Sequence, residues 1–224
     1  EKGNGIASLY PVKIQGLKGK KVLDAIYKDV IKLIKGNKFV VTLGGEHSIS
    51  TAPIKAHFDS YSDLSILHFD AHSDLRDEYG GTKYSHASFC ARVAEFTKDI
   101  TQVGIRAQCK EEYEFIKKNS IKTFYAYAIR NGLHGKNWQD KVIKGLKKNV
   151  YITFDVDYFD PSIMPSTGTC EPLGFYWEET MILLRKLGKV RNVVGFDVVE
   201  LAPKKGNSYP DFLAAKLIYK MLNY

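Results

Sequence analysis

Apolar and polar residues along this chain alternate in blocks that predict strands and helices in turn. Short apolar runs typical of buried strands occupy residues 39–43, 64–69, 100–105, 123–127, 150–154 and 193–198. Helical spacing of apolar positions occupies residues 20–35, 91–96, 111–118, 138–147, 178–187 and 210–222, and another helix is predicted to begin near Ser48. Strands that alternate with helices indicate βαβ units. We therefore predict an α/β fold with three layers, αβα, built on a mainly parallel sheet.

No repeat and no low-complexity linker divides the 224 residues, so we predict one domain over residues 1–224. Residues 1–19 are Gly-rich and weakly patterned, and we expect a loose N-terminal segment there. Hydrophobic residues make up 44% of the chain, which is enough to build a core.

Charge, cysteine content and hydropathy limit the kinds of binding partner and the cellular compartment that we expect for this chain. The net charge of +8 comes from lysines scattered in small groups beside the predicted helices, which indicates a solvated surface and no nucleic-acid partner. The three cysteines lie far apart without a CxxC motif, as in reduced, cytoplasmic proteins. No apolar run approaches the roughly 18 residues that cross a bilayer, so no membrane partner is expected. No signal peptide is found, although the chain starts at Glu1 without a methionine.

Carboxylates and histidines lie at the ends of four of the predicted strands or directly after them. In chain order they are His47, the segment Asp70-Ala71-His72-Ser73-Asp74, the pair Asp155 and Asp157, and the segment Asp197-Val198-Val199-Glu200. Ligands of open parallel sheets bind beyond the carboxyl ends of the strands, so these side chains are expected to converge. A single Asp in such a place could instead cap a helix. Four strand ends with the same feature favour a functional site.

The types of side chain in this set indicate a metal centre. If the chain stays extended beyond residue 69, Asp70, His72 and Asp74 point to one side. Oxygen and nitrogen ligands of this mixture suit a divalent cation such as Mn²⁺. Six ligands, His47, Asp70, His72, Asp74, Asp155 and Asp157, are too many for one ion that keeps an open position. They fit two ions roughly 3.5–4 Å apart, which would hold a water as hydroxide for attack on carbon or phosphorus.

These segments together resemble the signatures of the manganese ureohydrolases, the family of arginase and agmatinase. The matching segments are Gly44-Gly45-Glu46-His47-Ser48, Asp70 to Asp74, Phe154 to Pro161 and Gly195 to Pro203, and the similarity extends from about Gly36 to the C-terminus. The resemblance implies an arginase-like fold, two Mn²⁺ ions per chain and a homo-oligomer, commonly a trimer or hexamer.

The resemblance also implies a role for each site residue. His47 and Asp74 would bind one Mn²⁺, His72 and Asp157 the other, and Asp70 and Asp155 would bridge them. Asp74 would also orient the hydroxide between the ions, Glu200 would bind the guanidinium group of the substrate, and His86 would contact the substrate and shuttle protons.

Within the family, the segments 75–79 and 83–88 look like agmatinase. The Ser-Gly-Asn-x-His signature of arginase is absent. The predicted reaction is hydrolysis of agmatine to putrescine and urea, which fits an enzyme of polyamine biosynthesis. Cys170 and Leu173 depart from the family pattern in the loop near the substrate entrance, and the first strand of the family is not found in this chain.

Three alternatives stay open. One is a hydrolase of another guanidino compound, either arginine or a guanidino acid, for which Arg106 or Arg130 would have to bind a carboxylate. The second is a dinuclear metallophosphoesterase, although its usual GNH-like and GHxH-like segments are missing. The third is a metal-binding paralogue without catalytic activity.

Two histidines outside the ligand set are expected to have no functional role. His68 lies inside the strand 64–69, and we interpret it as a packing residue that points away from Asp70. His57 falls in the helix predicted to begin near Ser48, and we expect it at the surface.

Overall fold

A parallel six-stranded sheet forms the centre of the protein in a computed structural model that describes residues 5–224. The strands are β1 (Val40–Leu43), β2 (Leu64–Phe69), β3 (Ile100–Val103), β4 (Lys122–Phe124), β5 (Asn149–Asp155) and β6 (Asn192–Val199). Their order across the sheet is β1-β6-β5-β2-β3-β4, and every neighbouring pair is parallel. Parallel neighbours require crossover connections, which the helices supply.

The α-helices cover both faces of the sheet. They are α1 (Lys20–Lys35), α2 (Thr51–Ser60), α3 (Phe89–Val93), α4 (Lys110–Asn119), α5 (Ala126–Arg130), α6 (Trp138–Lys144), α7 (Trp177–Val190) and α8 (Tyr209–Met221). Successive residues of a strand point to opposite faces. Accordingly, Leu67 of β2 packs into a core with α6, α7 and α8, whereas Ile66 packs into a separate core with α2, α3 and α4. The predicted αβα layering is confirmed.

Most predicted elements form, several of them with shifted ends, and one changes type. The apolar run 123–127 was predicted as a strand, but β4 ends at Phe124 and helix α5 begins at Ala126. A run of this length has no period that distinguishes strand from helix. The Ala126 N–H donates to the carbonyl of Ile105, which lies just after β3, and helix α5 begins at Ala126.

Four observations bear on the other general expectations. Residues 5–19 form neither helix nor strand. His57 is fully buried in α2, so its predicted surface position is wrong. All three cysteines are free thiols. Within residues 5–224, no helix is long and apolar enough to cross a membrane.

The sheet order explains why the polar motifs meet. β1, β6, β5 and β2 are consecutive neighbours, and they are the four strands that the motifs follow. Their register aligns the carboxyl ends, with Leu43 beside Val198 and Phe69 beside Phe154. The residues after these strands therefore lie at one edge of the sheet, as expected for an open parallel fold.

Candidate metal centre

His47 lies at the base of the site because the chain turns sharply after β1. Gly44 leaves room for its neighbours at this point, since a Cβ there would clash with Ile49 Cδ1 and lie 3.1 Å from Val199 Cγ1. A short 3₁₀ helix then begins at His47, whose ring is fully buried and stacks on Phe89 with ring centroids 3.7 Å apart. Packing against Phe89 therefore holds one face of the imidazole in place without help from a metal ion.

Three carboxylates converge on the Nδ1 atom of His47. Asp70 Oδ2 and Asp155 Oδ2 each lie 3.2 Å from it, and Asp74 Oδ2 lies 3.4 Å away. The chain is not regularly extended here, because β2 ends at Phe69 and Asp74 has φ +52°. The left-handed turn at Asp74, and not strand alternation, brings its carboxylate to His47.

A second ligand group adjoins the first and shares Asp70 with it. The Nδ1 atom of His72 lies 3.0 Å from Asp157 Oδ2 and 3.5 Å from Asp70 Oδ1. Asp70 thus faces His47 with one carboxylate oxygen and His72 with the other. Asp157 lies in a 3₁₀ helix, and its N–H donates to Asp155 Oδ1 at 2.8 Å, which fixes these two carboxylates relative to each other.

The electrostatics of the cluster are those of a site that needs added positive charge. Burial and the charge of Asp70 raise the pKa of Asp74 to about 8, and burial with neighbouring carboxylates also raises the pKa of Asp155 and of Asp157. Burial alone would lower the pKa of His72, but hydrogen bonds to Asp157 and Asp70 raise it to about 11. Protons therefore offset the repulsion between carboxylates, a role that divalent cations fill when they bind. The donor set fits two such cations.

His68 is a member of this site that the sequence analysis missed. It is fully buried, its Nε2 lies 2.7 Å from Asp70 Oδ2, and its Nδ1 lies 3.1 Å from the amide nitrogen of Gln102. The prediction that His68 points away from Asp70 is wrong, because residues two apart in a strand lie on the same side. That spacing was the signal that could have found it. The Gln102–His68 pair orients the carboxylate that the two ligand groups share.

Glu200 and His86 lie beside the ligand groups. Glu200 is half-buried at a left-handed position, φ +65°, and its Oε1 accepts a 2.6 Å hydrogen bond from the His47 N–H. Burial raises the pKa of Glu200. The His86 side chain is 43% exposed, and its Nδ1 lies 3.5 Å from Glu46 Oε1. His86 therefore lies next to the segment that carries His47, with part of its side chain open to solvent.

Arg106 holds the backbone on the other side of the site. Its two terminal nitrogens donate to the carbonyls of Gly104, Asp157, Tyr158, Phe159 and Glu171. The guanidinium thereby joins the Asp157 segment to the loop near Glu171. Arg130 donates to the Gly174 carbonyl and forms a bidentate ion pair with Glu179. The hydrogen bonds that these two guanidinium groups donate go to backbone carbonyls and to Glu179, and none goes to a side chain of the ligand groups.

Residues 3–223 match the arginase family. The chain belongs to that family. Its relatives include the N(1)-aminopropylagmatine ureohydrolase of Synechocystis sp., 35% identical over 95% of this chain and 69% of the relative. An enzyme of the same name from Thermus thermophilus is 38% identical over 87% of this chain and 65% of the relative. The agmatine ureohydrolase of Thermoplasma volcanium superposes with a TM-score of 0.79 at 32% identity, over 91% of this chain and 68% of that structure.

The match confirms the resemblance and the arginase-like fold. The chain spans about two thirds of the length of these curated relatives, at 69% and 65%. Membership of the arginase family overturns the metallophosphoesterase alternative. The groups around His47 and His72 bring together the histidine and carboxylate ligands that a pair of metal ions requires.

Proposed function

We propose that this chain hydrolyses the guanidino group of agmatine, yielding urea and putrescine, with two Mn²⁺ ions per chain. The observation that carries the proposal is the pair of ligand groups that share Asp70, with the Glu200 carboxylate bonded to the His47 backbone beside them. Bound divalent cations would supply water activation at neutral pH. His47 and Asp74 would hold one ion and His72 and Asp157 the other, while Asp70 and Asp155 would contact both.

The protein groups around the centre account for substrate orientation and proton transfer. The Glu200 carboxylate offsets the charge of a planar guanidinium cation and fixes its orientation, since two acceptor oxygens suit two N–H donors. Asp74 accepts a hydrogen bond from the attacking water and directs it. His86, half-exposed at the entrance, donates a proton to the departing amine.

Two facts about the arginines favour an amine substrate over a guanidino acid. A substrate carboxylate needs a cationic partner, and Arg106 and Arg130 were the candidates. Arg106 is occupied by five carbonyl groups, and Arg130 by Glu179 and the Gly174 carbonyl. Agmatine has no carboxylate and needs no such partner.

A second candidate substrate is N(1)-aminopropylagmatine, which is named in both curated relatives above. It has the same guanidino end but a longer tail with an additional amine. The Glu171 side chain is 38% exposed, and its Oε1 lies 3.9 Å from His72 Nε2. A carboxylate in this position offers a partner to an amine that lies outside the metal centre.

Urea release decides between these substrates. Metal-free protein is reconstituted with Mn²⁺ and assayed with agmatine, N(1)-aminopropylagmatine, arginine and 4-guanidinobutyrate under identical conditions. The proposal predicts the highest kcat/KM for agmatine, and a higher value for its aminopropyl derivative would favour the second candidate. Urea release from none of the four, by protein that holds two Mn²⁺ per chain, would support the non-catalytic paralogue.

Assembly and location stay predictions that follow from the resemblance. We propose a homo-oligomer, either a trimer or a hexamer, in the cytoplasm. Size-exclusion chromatography with light scattering measures the oligomer directly, and a monomer at working concentration would contradict it.

A further inference from the structure

Asp197 is a buried carboxylate that the proposed reaction does not use. It lies in β6, is fully buried, and accepts three hydrogen bonds from hydroxyl groups. Ser50 Oγ donates at 3.0 Å, Tyr151 OH at 2.8 Å and Thr153 Oγ1 at 2.7 Å. Burial of a carboxylate away from water is costly, and three hydroxyl donors are the groups that offset this cost. The three hydrogen bonds therefore hold the Asp197 carboxylate in one fixed position inside the protein.

Thr153 connects Asp197 to the metal centre. Its hydroxyl lies 2.9 Å from His47 Nε2, on the side of the ring opposite to the three carboxylates. A hydroxyl group has one proton to donate, and Thr153 gives it to Asp197. Thr153 must therefore accept from His47, which places the imidazole proton on Nε2. The lone pair of Nδ1 then faces Asp70, Asp74 and Asp155, where a cation would bind.

We infer that Asp197, acting through Thr153, is a positioning residue that fixes the tautomer and ring orientation of His47 for metal binding. The inference rests on the proposed metal centre of the chain. Partners that orient a metal-binding imidazole through its second nitrogen typically change metal affinity by 10- to 100-fold when they are removed. The effect should be confined to the ion held by His47, because His72 has different surroundings, with its Nε2 3.9 Å from Glu171.

Four variants separate this role from general packing. Thr153→Val keeps the size of the side chain and removes its hydroxyl, whereas Thr153→Ser keeps the hydroxyl. Asp197→Asn removes the acceptor charge behind Thr153. Ser50→Ala is the matched control, since it removes one donor to Asp197 but leaves the hydrogen bond between His47 and Thr153 intact.

The experiment titrates metal-free protein with Mn²⁺ by calorimetry and by electron paramagnetic resonance. Thr153→Val and Asp197→Asn are expected to weaken one of the two binding events by about 10- to 100-fold and to change the other by less than about threefold. Thr153→Ser and Ser50→Ala are expected to keep both affinities within about threefold of wild type. Melting temperatures of the metal-free variants are measured alongside, so that loss of fold is recognised separately.

Three results would overturn the inference. Thr153→Val could bind both ions as wild type does, Thr153→Ser could be as impaired as Thr153→Val, or both binding events could weaken equally in a folded Thr153→Val protein. A chain that shows the expected binding pattern but releases no urea would contradict the proposed function and leave this inference standing.

Discussion

The backbone N–H of His47 donates a 2.6 Å hydrogen bond to Glu200 Oε1, across 153 positions of sequence. His47 follows β1 and Glu200 follows β6, which are neighbours in the sheet. The Glu200 N–H in turn donates to the Gly45 carbonyl at 2.7 Å. The proposed guanidinium-binding residue is therefore fixed to the same backbone segment as a proposed metal ligand. This link would set the distance between a substrate on Glu200 and an ion on His47.

Glu200→Gln should separate substrate binding from metal binding. The amide oxygen can still accept from the His47 N–H, so the Mn²⁺ content is expected to stay at the wild-type level. Loss of the negative charge should lower kcat/KM for agmatine by about 100-fold or more, because the guanidinium cation is no longer offset or oriented. Metal analysis and urea release measure the two effects. Near wild-type turnover, or loss of metal, would show that the assigned role is wrong.

Asp70 and Asp157 should differ in how much metal their variants lose. Asp70→Asn removes a charge shared by both ligand groups, so we expect well under one Mn²⁺ per chain in elemental analysis after dialysis. Asp157→Asn affects only the group around His72, so about one equivalent should remain. Asp140→Asn, in an exposed ion pair with Lys186, is the control that keeps two. Two full equivalents in Asp70→Asn would contradict the shared position.

Arg106→Lys should destabilise the fold near the site. A lysine ammonium has three donors on one atom and cannot reproduce the planar arrangement that reaches five carbonyls. We expect a loss of about 1–3 kcal/mol in the free energy of unfolding of the metal-free protein, measured by urea denaturation. Lys186→Arg, at an exposed ion pair, serves as the control and should stay within about 0.5 kcal/mol of wild type. An equally small change in Arg106→Lys would show that the five carbonyls do not depend on the guanidinium group for their hydrogen bonds.

His57 should make the metal-free protein sensitive to acid. Burial lowers the pKa of His57 from 6.5 to about 4, and its Nε2 has no hydrogen-bond partner. Between pH 6.5 and pH 4 the unfolded chain binds this proton and the folded chain does not. The pKa shift of His57 therefore leaves the free energy of unfolding unchanged above pH 6.5. As the pH falls, it lowers the free energy of unfolding by an amount that grows to about 3 kcal/mol below pH 4.

The measurement compares wild type with His57→Gln, which does not titrate in this range. Urea denaturation of both proteins without metal, at several pH values from 7 to 4.5, gives the free energy of unfolding. The wild-type value should fall more steeply, by up to about 1.4 kcal/mol per pH unit. Parallel curves for the two proteins would mean that His57 is protonated in the folded state or reached by water.

The sequence by itself determined the layering, the strand ends that form the site and the residue types gathered there. Helix α1 occupies the predicted residues, Lys20–Lys35, because its apolar positions keep a helical spacing over four turns. The strand-end motifs were equally readable, since each combines a buried apolar run with polar residues directly after it. The carboxyl end of a strand is marked by residues that are adjacent in the sequence, so it can be recognised without knowledge of the fold.

Tertiary structure alone decided which atoms of these residues meet. The order β1-β6-β5-β2 places His47, Glu200, Asp155 and Asp70 side by side, although up to 153 positions separate them. Asp74 reaches His47 through a left-handed turn, and Asp157 reaches His72 from a 3₁₀ helix. Such turns depend on contacts from distant segments. The burial of His57, which packs against β5 and β6, has the same origin, because its neighbours Tyr151 and Gly195 come from remote parts of the chain.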